Sequence, residues 1–101
     1  MGLTIVVESE LGNRLEQVED PTNLLHHLLP SPEDTGYRCI GMVDWYGDTV
    51  FNYLQIPRFI EEWRRMALRS ANSEESVLID RIEKMARRVG EERLYLKFYG
   101  D

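Results

Sequence analysis

Two amphipathic helical stretches follow one another directly between residues 57 and 90, and strand-like runs lie on both sides of them. The first opens at Pro57, which suits the first helical position, and runs to about Ser70. Phe59, Ile60, Trp63 and Met66/Ala67 share one face. The second starts at Asn72-Ser73-Glu74-Glu75, where Asn72 and Glu75 have capping-box spacing with Asn in place of Ser or Thr. Its buried stripe is Leu78, Ile82, Met85/Ala86 and Val89. Glu74 and Glu75 at one end and Arg87 and Arg88 at the other suit the helix dipole. Asp80/Lys84 and Glu83/Arg87 have ion-pair spacing, and Gly90 reads as the residue just past the helix.

The flanking runs have β character. Leu3–Val7 is a short β-branched strand, and Leu11-Gly12-Asn13 a turn. Arg14–Glu19 fits a second strand or a helical turn through Leu11, Leu15 and Val18; Gly12 and Asn13 weaken the helix and favour the strand. Asp20-Pro21 starts a short helix with Leu24, Leu25 and Leu28 buried, stopped by Pro30-Ser31-Pro32. Tyr37–Asp44 reads as a strand, Trp45–Asp48 as a turn in which Gly47 takes positive φ, and Thr49–Leu54 as the hairpin partner. Leu94–Tyr99 ends the chain with strict alternation, Leu94, Leu96 and Phe98 against Tyr95, Lys97 and Tyr99.

The expected fold over residues 1–101 is one small α+β domain, order β(β)αββααβ. It has a mainly antiparallel sheet of four to five strands, with two long C-terminal helices and one short N-terminal helix on one face. The first and last strands are expected side by side, with the hairpin at an edge.

Charge is unevenly spread. Net charge is −6. Residues 1–57 hold nine carboxylates against two basic residues, Arg14 and Arg38, while residues 58–101 hold ten basic and nine acidic residues. Such a chain lacks the net basic face that displaces counterions from nucleic acid, so no nucleic-acid partner is expected. An acidic half suits a partner protein with a basic surface, and equally serves solubility. No apolar run approaches a membrane span, and no membrane partner is expected. A single cysteine, Cys39, excludes an intrachain disulfide and suits a reducing cytoplasm. The N-terminus has neither the basic region nor the long apolar run of a secretory signal.

The turn Asp44–Asp48 is the leading candidate site. Trp45 and Tyr46 sit at its tip, and tryptophan and tyrosine dominate binding hot spots. Asp44 and Asp48 flank them, with Glu33 and Asp34 expected nearby. Partner binding through Asp44, Trp45, Tyr46, Asp48, Glu33 and Asp34 is the primary expectation. The mechanism is steric blocking or tethering of a basic partner, and small acidic domains that neutralise basic nuclease toxins share this charge and size, an analogy that extends no further. Asp44 and Asp48 also suit plain turn capping, or acid–base chemistry in a small enzyme. A third reading is self-association through an edge strand such as Thr49–Leu54, giving a homodimer.

Other candidates are weaker. His26 and His27 are adjacent, so on a helix they point about 100° apart and cannot easily share a metal. Cys39 in a strand reads as a core thiol. Arg58, Arg64, Arg65 and Arg69 read as a solvated helix face offset by Glu61 and Glu62. No Walker loop, G-x-G-x-x-G, G-x-S-x-G or C-x-x-C is present, and no cofactor or metal is expected.

Overall fold

The computed structural model describes residues 2–100. Four strands form one antiparallel sheet in the order β2-β1-β4-β3. They are β1 (Thr4–Glu8), β2 (Arg14–Glu19), β3 (Asp48–Asn52) and β4 (Tyr95–Tyr99). Helices α1 (Ile56–Ala67) and α2 (Ser73–Glu92) lie on one face. The α+β class, the antiparallel sheet and the pairing of the first and last strands match expectation. β1 and β4 are the two central strands, registered Ile5↔Phe98 and Val7↔Leu96.

Alternation decides which face each side chain takes. Ile5, Val7, Leu96, Phe98 and Phe51 point to the helices and are buried. Phe59 of α1 stacks on Trp63 at 5.1 Å and meets Phe51 at the same distance. The Trp63 indole N–H donates to the Ile79 carbonyl of α2 at 3.1 Å, so the largest core side chain also leaves no polar atom unpartnered. The opposite sheet face carries Glu8, Tyr95, Lys97 and Tyr99, away from α1 and α2.

The β1–β2 turn needs Gly12, whose φ of 86° favours glycine. β2 is a strand, as Gly12 and Asn13 argue. Arg81 and Arg88 of α2 reach across to Glu16 of β2 at 3.4 and 3.3 Å. Asn72 caps α2 by accepting the Glu75 N–H at 2.9 Å. The Glu75 carboxylate closes on the Ala71 N–H rather than on Asn72, one residue earlier than the standard capping box.

Several expectations are corrected. The run Tyr37–Asp44 is not a strand: it forms turns around a 3-10 turn at Ile40–Met42. The buried carboxylate of Glu62, on α1, accepts the N–H groups of Cys39 at 3.0 Å and Ile40 at 2.8 Å. Those amides are satisfied by a side chain instead of a strand ladder. There is consequently no hairpin with Thr49–Leu54; β3 ends at Asn52 and pairs with β4 alone. Phe51 enters the core, while Tyr53 lies beyond the strand and under the Arg93 guanidinium, 5.6 Å from its ring centre.

The short N-terminal helix is only a 3-10 turn, Leu24–His27. Its N-cap position is held by Asn23 rather than Asp20, and Pro21 lies outside the turn, but the Asp20 carboxylate still accepts the Leu24 and Leu25 N–H groups at 2.8 and 2.9 Å. Asn23 sits at φ 57° before it, and Pro30 follows too closely for further turns. Gly90 lies inside α2, which runs on to Glu92; Arg93 takes the left-handed cap at φ 55°. A Cβ at Gly90 would lie 3.2 Å from Ile56 Cγ2, so the glycine allows the two helices to approach closely. Asp80 and Lys84 form no ion pair, whereas Glu83 and Arg87 do.

Candidate functional site

The turn preceding β3 is tied down on three sides. The Asp44 N–H donates to the Thr49 hydroxyl at 2.8 Å, and the Asp44 carboxylate accepts the Tyr46 N–H at 2.9 Å. The second bond is an Asx turn, the local capping that aspartate supplies in turns. The Gly100 N–H donates to the Gly47 carbonyl at 2.7 Å, extending the β3–β4 ladder into the turn. Gly100 itself presses on the turn's backbone. A Cβ there would stand 2.3 Å from the Trp45 carbonyl oxygen, so no other residue fits without displacing the turn.

Gly47 differs from expectation. It does not take positive φ; a Cβ would meet the Asp44 carboxylate at 2.8 Å, so the glycine supplies room for the Asx turn.

Trp45 and Tyr46 have opposite roles. Trp45 is half-buried against the core, edge-on to His26 with ring centres 5.5 Å apart. It anchors the turn. Tyr46 is 86% exposed. Asp44 and Asp48 are both exposed and form no ion pair among the described residues. His26 and His27 are exposed beside the anchor. Asp44, Trp45, Tyr46 and Asp48 therefore form one contiguous feature.

Glu33 and Asp34 belong to a different loop. Asp34 accepts the Gly36 N–H at 3.0 Å, and the Gly36 carbonyl accepts from Arg65 at 2.6 Å. The adjacent Tyr37 ring is buried under the Arg65 and Arg69 guanidiniums, 4.7 and 5.0 Å from its centre. This loop is moored to the last turn of α1. No hydrogen bond, ion pair or ring contact among the described residues joins it to the 44–48 turn.

Two further groups escape a reading of the chain alone. The first lies on the uncovered sheet face. Glu8 is only 4% exposed there. It accepts from the Tyr99 hydroxyl and pairs with Lys97 at 3.1 Å, while Arg14 lies over the Tyr99 ring at 5.1 Å. Burial pushes the Glu8 carboxyl up, but the Tyr99 hydroxyl, Lys97 and Arg14 together outweigh it, and its pKa lies below the ordinary value. The hydrogen bond to Glu8 holds Lys97 above its own ordinary value. The sequence signal was alternation alone: Glu8 ends one strand, and Lys97 and Tyr99 alternate along another.

The second group lines a cleft of about 740 Å³ between β3, the loop at 38–42 and the start of α1. Cys39 stands in its wall, half-buried rather than mid-strand. Burial and then the neighbouring Glu62 charge push this thiol up to about 11, so at neutral pH it is protonated and a poor nucleophile. Clefts of about 470 Å³ by Tyr53 and about 220 Å³ by Glu8 are smaller. Asp44 and Asp48 line none of the three.

Among the described residues, no group of three or more His, Cys, Asp or Glu side chains is placed to hold a metal ion. No helix is long and apolar enough to cross a membrane. No protein-family model matches this chain, and comparison with characterised proteins and with solved structures finds no match.

Proposed function

We propose that this chain is a small acidic interaction domain that docks on the basic surface of a partner protein through the 44–48 turn. The observation that carries this reading is Tyr46, 86% exposed on a turn that its neighbours hold in place. An exposed aromatic on a braced backbone can anchor an interface with little ordering cost. Trp45 positions it and is not itself the anchor.

The electrostatics favour a cationic partner. Every cation in the ion pairs comes from residues 58–97, and their carboxylates are all glutamates. Glu33, Asp34, Asp44 and Asp48 have no ion-pair partner among the described residues. They would raise the rate of encounter and select against acidic surfaces, while Tyr46 supplies buried area. Glu33 and Asp34 act as long-range charge in this scheme, because nothing ties them to the turn. Binding would block or tether the partner rather than transform it. A single half-buried cysteine fits work in a reducing cytoplasm.

The test is quantitative capture from the native lysate by wild type, Tyr46→Ala and Asp48→Lys, with circular dichroism showing that both variants fold. Asp44 is left intact because it caps the turn. A partner held by wild type, lost by both variants and released as salt rises from 50 to about 300 mM is the expected result. Equal capture by all three proteins, or capture indifferent to salt, would sink the proposal.

A further inference from the structure

The cleft of about 740 Å³ runs along the free edge of β3. The ladder's phase identifies which backbone groups face it. Gly47 and Gly100 form a hydrogen-bonded pair one step beyond Asp48↔Tyr99. Hydrogen-bonded and non-bonded pairs alternate in an antiparallel ladder, so Thr49 and Phe51 turn their amides to β4. Asp48, Val50 and Asn52 turn theirs outward. Asn52 confirms this independently: its N–H donates to the Gln55 side chain at 2.9 Å, and its carbonyl accepts the Gln55 N–H at 3.0 Å. Gln55 thus closes the edge at its C-terminal end. The N–H and C=O of Asp48 and Val50 remain open, with no partner among the described residues.

The cleft beside this edge has its own chemistry. Met42 is 63% exposed and Leu54 is 73% exposed, and both line it. Arg38 and Arg58 line it as well, and no carboxylate does. Arg38 forms no ion pair or hydrogen bond among the described residues. Glu62 takes only Nε of Arg58, whose side chain is largely exposed, so its terminal nitrogens are free. On a chain of net charge −6 this is a local cationic, apolar groove flanking an unpaired strand edge.

We propose that this edge accepts an extended peptide segment of a partner protein, added as a short fifth strand, with an acidic side chain between Arg38 and Arg58 and an apolar one against Met42 and Leu54. Strand addition takes its affinity from main-chain bonds and its specificity from pockets for alternate side chains. Backbone groups are open only from Asp48 to Val50, so the added strand is about three residues long. Charge complementarity selects an acidic segment as the occupant, and a second copy of the chain is disfavoured because the Asn52 groups of its own edge are already engaged by Gln55. The surface adjoins the 44–48 turn at Asp48, and its groove is opposite in sign.

The experiment is selection of random linear heptapeptides displayed on phage against the folded protein. Expected are sequences with Asp or Glu two positions from an apolar residue, sharing one strand face. Binding should fall by about tenfold or more toward Arg38→Glu, an exposed residue with no structural bond to lose. Val50→Pro removes the outward N–H but no ladder bond, and should weaken binding similarly. Should that variant fail to fold, N-methylation of the peptide's central amide makes the same test from the other side. Chemical shifts of the selected peptide's complex should move at Val50 and not at Tyr46. Enrichment of no sequence, of basic or uncharged sequences, or of peptides indifferent to Arg38→Glu overturns the proposal. So does concentration-dependent self-association that pairs Val50 with itself.

Discussion

Replacing Glu62 tests the account of the loop that lines both the core and the cleft. Its carboxylate is 1% exposed and accepts the Cys39 and Ile40 amides and Arg58 Nε. In Glu62→Gln, the carbonyl oxygen can still face the two amides, but those bonds lose their ionic character. Hydrogen bonds to charged groups contribute roughly 1.5–3 kcal/mol and neutral ones roughly 0.5–1.5, so two demoted bonds cost about 2 kcal/mol. The new NH2 faces the Arg58 donor, which removes a bond but, at so exposed an arginine, adds little. Easier burial of a neutral group offsets part of this. The expected loss is about 2 kcal/mol, or a fall in Tm of roughly 8–16 °C for a domain of this size. Glu62→Ala orphans both amides and leaves a void, so about 4 kcal/mol is expected.

Thermal melts followed by circular dichroism give the first readout, and Cys39 gives the second. Burial and the Glu62 charge together raise its thiol to about 11. Removing that charge lowers the thiol's pKa and loosens its loop, so a disulfide reagent should label Cys39 several-fold faster in Glu62→Gln at pH 8. A fall in Tm below about 3 °C with Cys39 labelled at the wild-type rate would refute the reasoning, because the loop would then be held by something else.

The Glu8 cluster makes a pH-dependent contribution. Glu8's folded pKa lies below its ordinary 4.5, so its stabilisation is present above that value and is lost as pH falls through the folded one. Lys97 lies above its ordinary 10.5, so its share is present below that value and is lost as pH rises through the folded one. Urea melts should therefore show Glu8→Gln less stable than wild type from about pH 5 to about 10, with the two converging in acid; a gap independent of pH would contradict the pairing. Asp20→Ala orphans the Leu24 and Leu25 amides and should cost about 2 kcal/mol in the same assay, against about 1 kcal/mol for Asn72→Ala at the α2 cap. The reverse order would mean that the 24–27 turn is not held by Asp20.

What the chain reveals before folding follows from the range of the interactions involved. β1, β4, α1 and α2 are legible because period two and period 3.6 are local and their apolar faces are continuous. The 37–44 segment misleads because its decisive partner, Glu62, lies 22 residues beyond Ile40. Its apolar residues suit a strand, but a buried carboxylate meets its amides first. There was a signal: Glu62 falls on the apolar stripe of α1 between Phe59 and Met66, where an acid needs a reason to be buried. Trp45 and Tyr46 were legible as a turn tip, but not as anchor and presenter. That division depends on His26 and on Gly100, both remote in the chain and neither apolar enough to leave a periodic trace. The cleft was invisible for a similar reason, since it exists only because 38–42 packs beside β3 instead of pairing with it.

The same distinction between local and remote contacts decides how much weight an exposed tyrosine can bear. Isolated exposed aromatics are ordinary, and on a mobile loop much of their contact energy is cancelled by the entropy of ordering the backbone. Here the backbone is ordered in advance. The turn is joined to β4 through Gly47 and Gly100, to β3 through Thr49, and to the core through Trp45. Gly100 makes the arrangement testable without touching Tyr46. A methyl group at Gly100 would stand 2.3 Å from the Trp45 carbonyl oxygen and must displace the turn, yet it removes no charge and no aromatic surface. If the turn binds through a prearranged Tyr46, Gly100→Ala should weaken partner capture by about tenfold while leaving the melting transition cooperative. If capture is unaffected, the contact lies elsewhere on the acidic surface, and the bracing of the turn serves the fold alone.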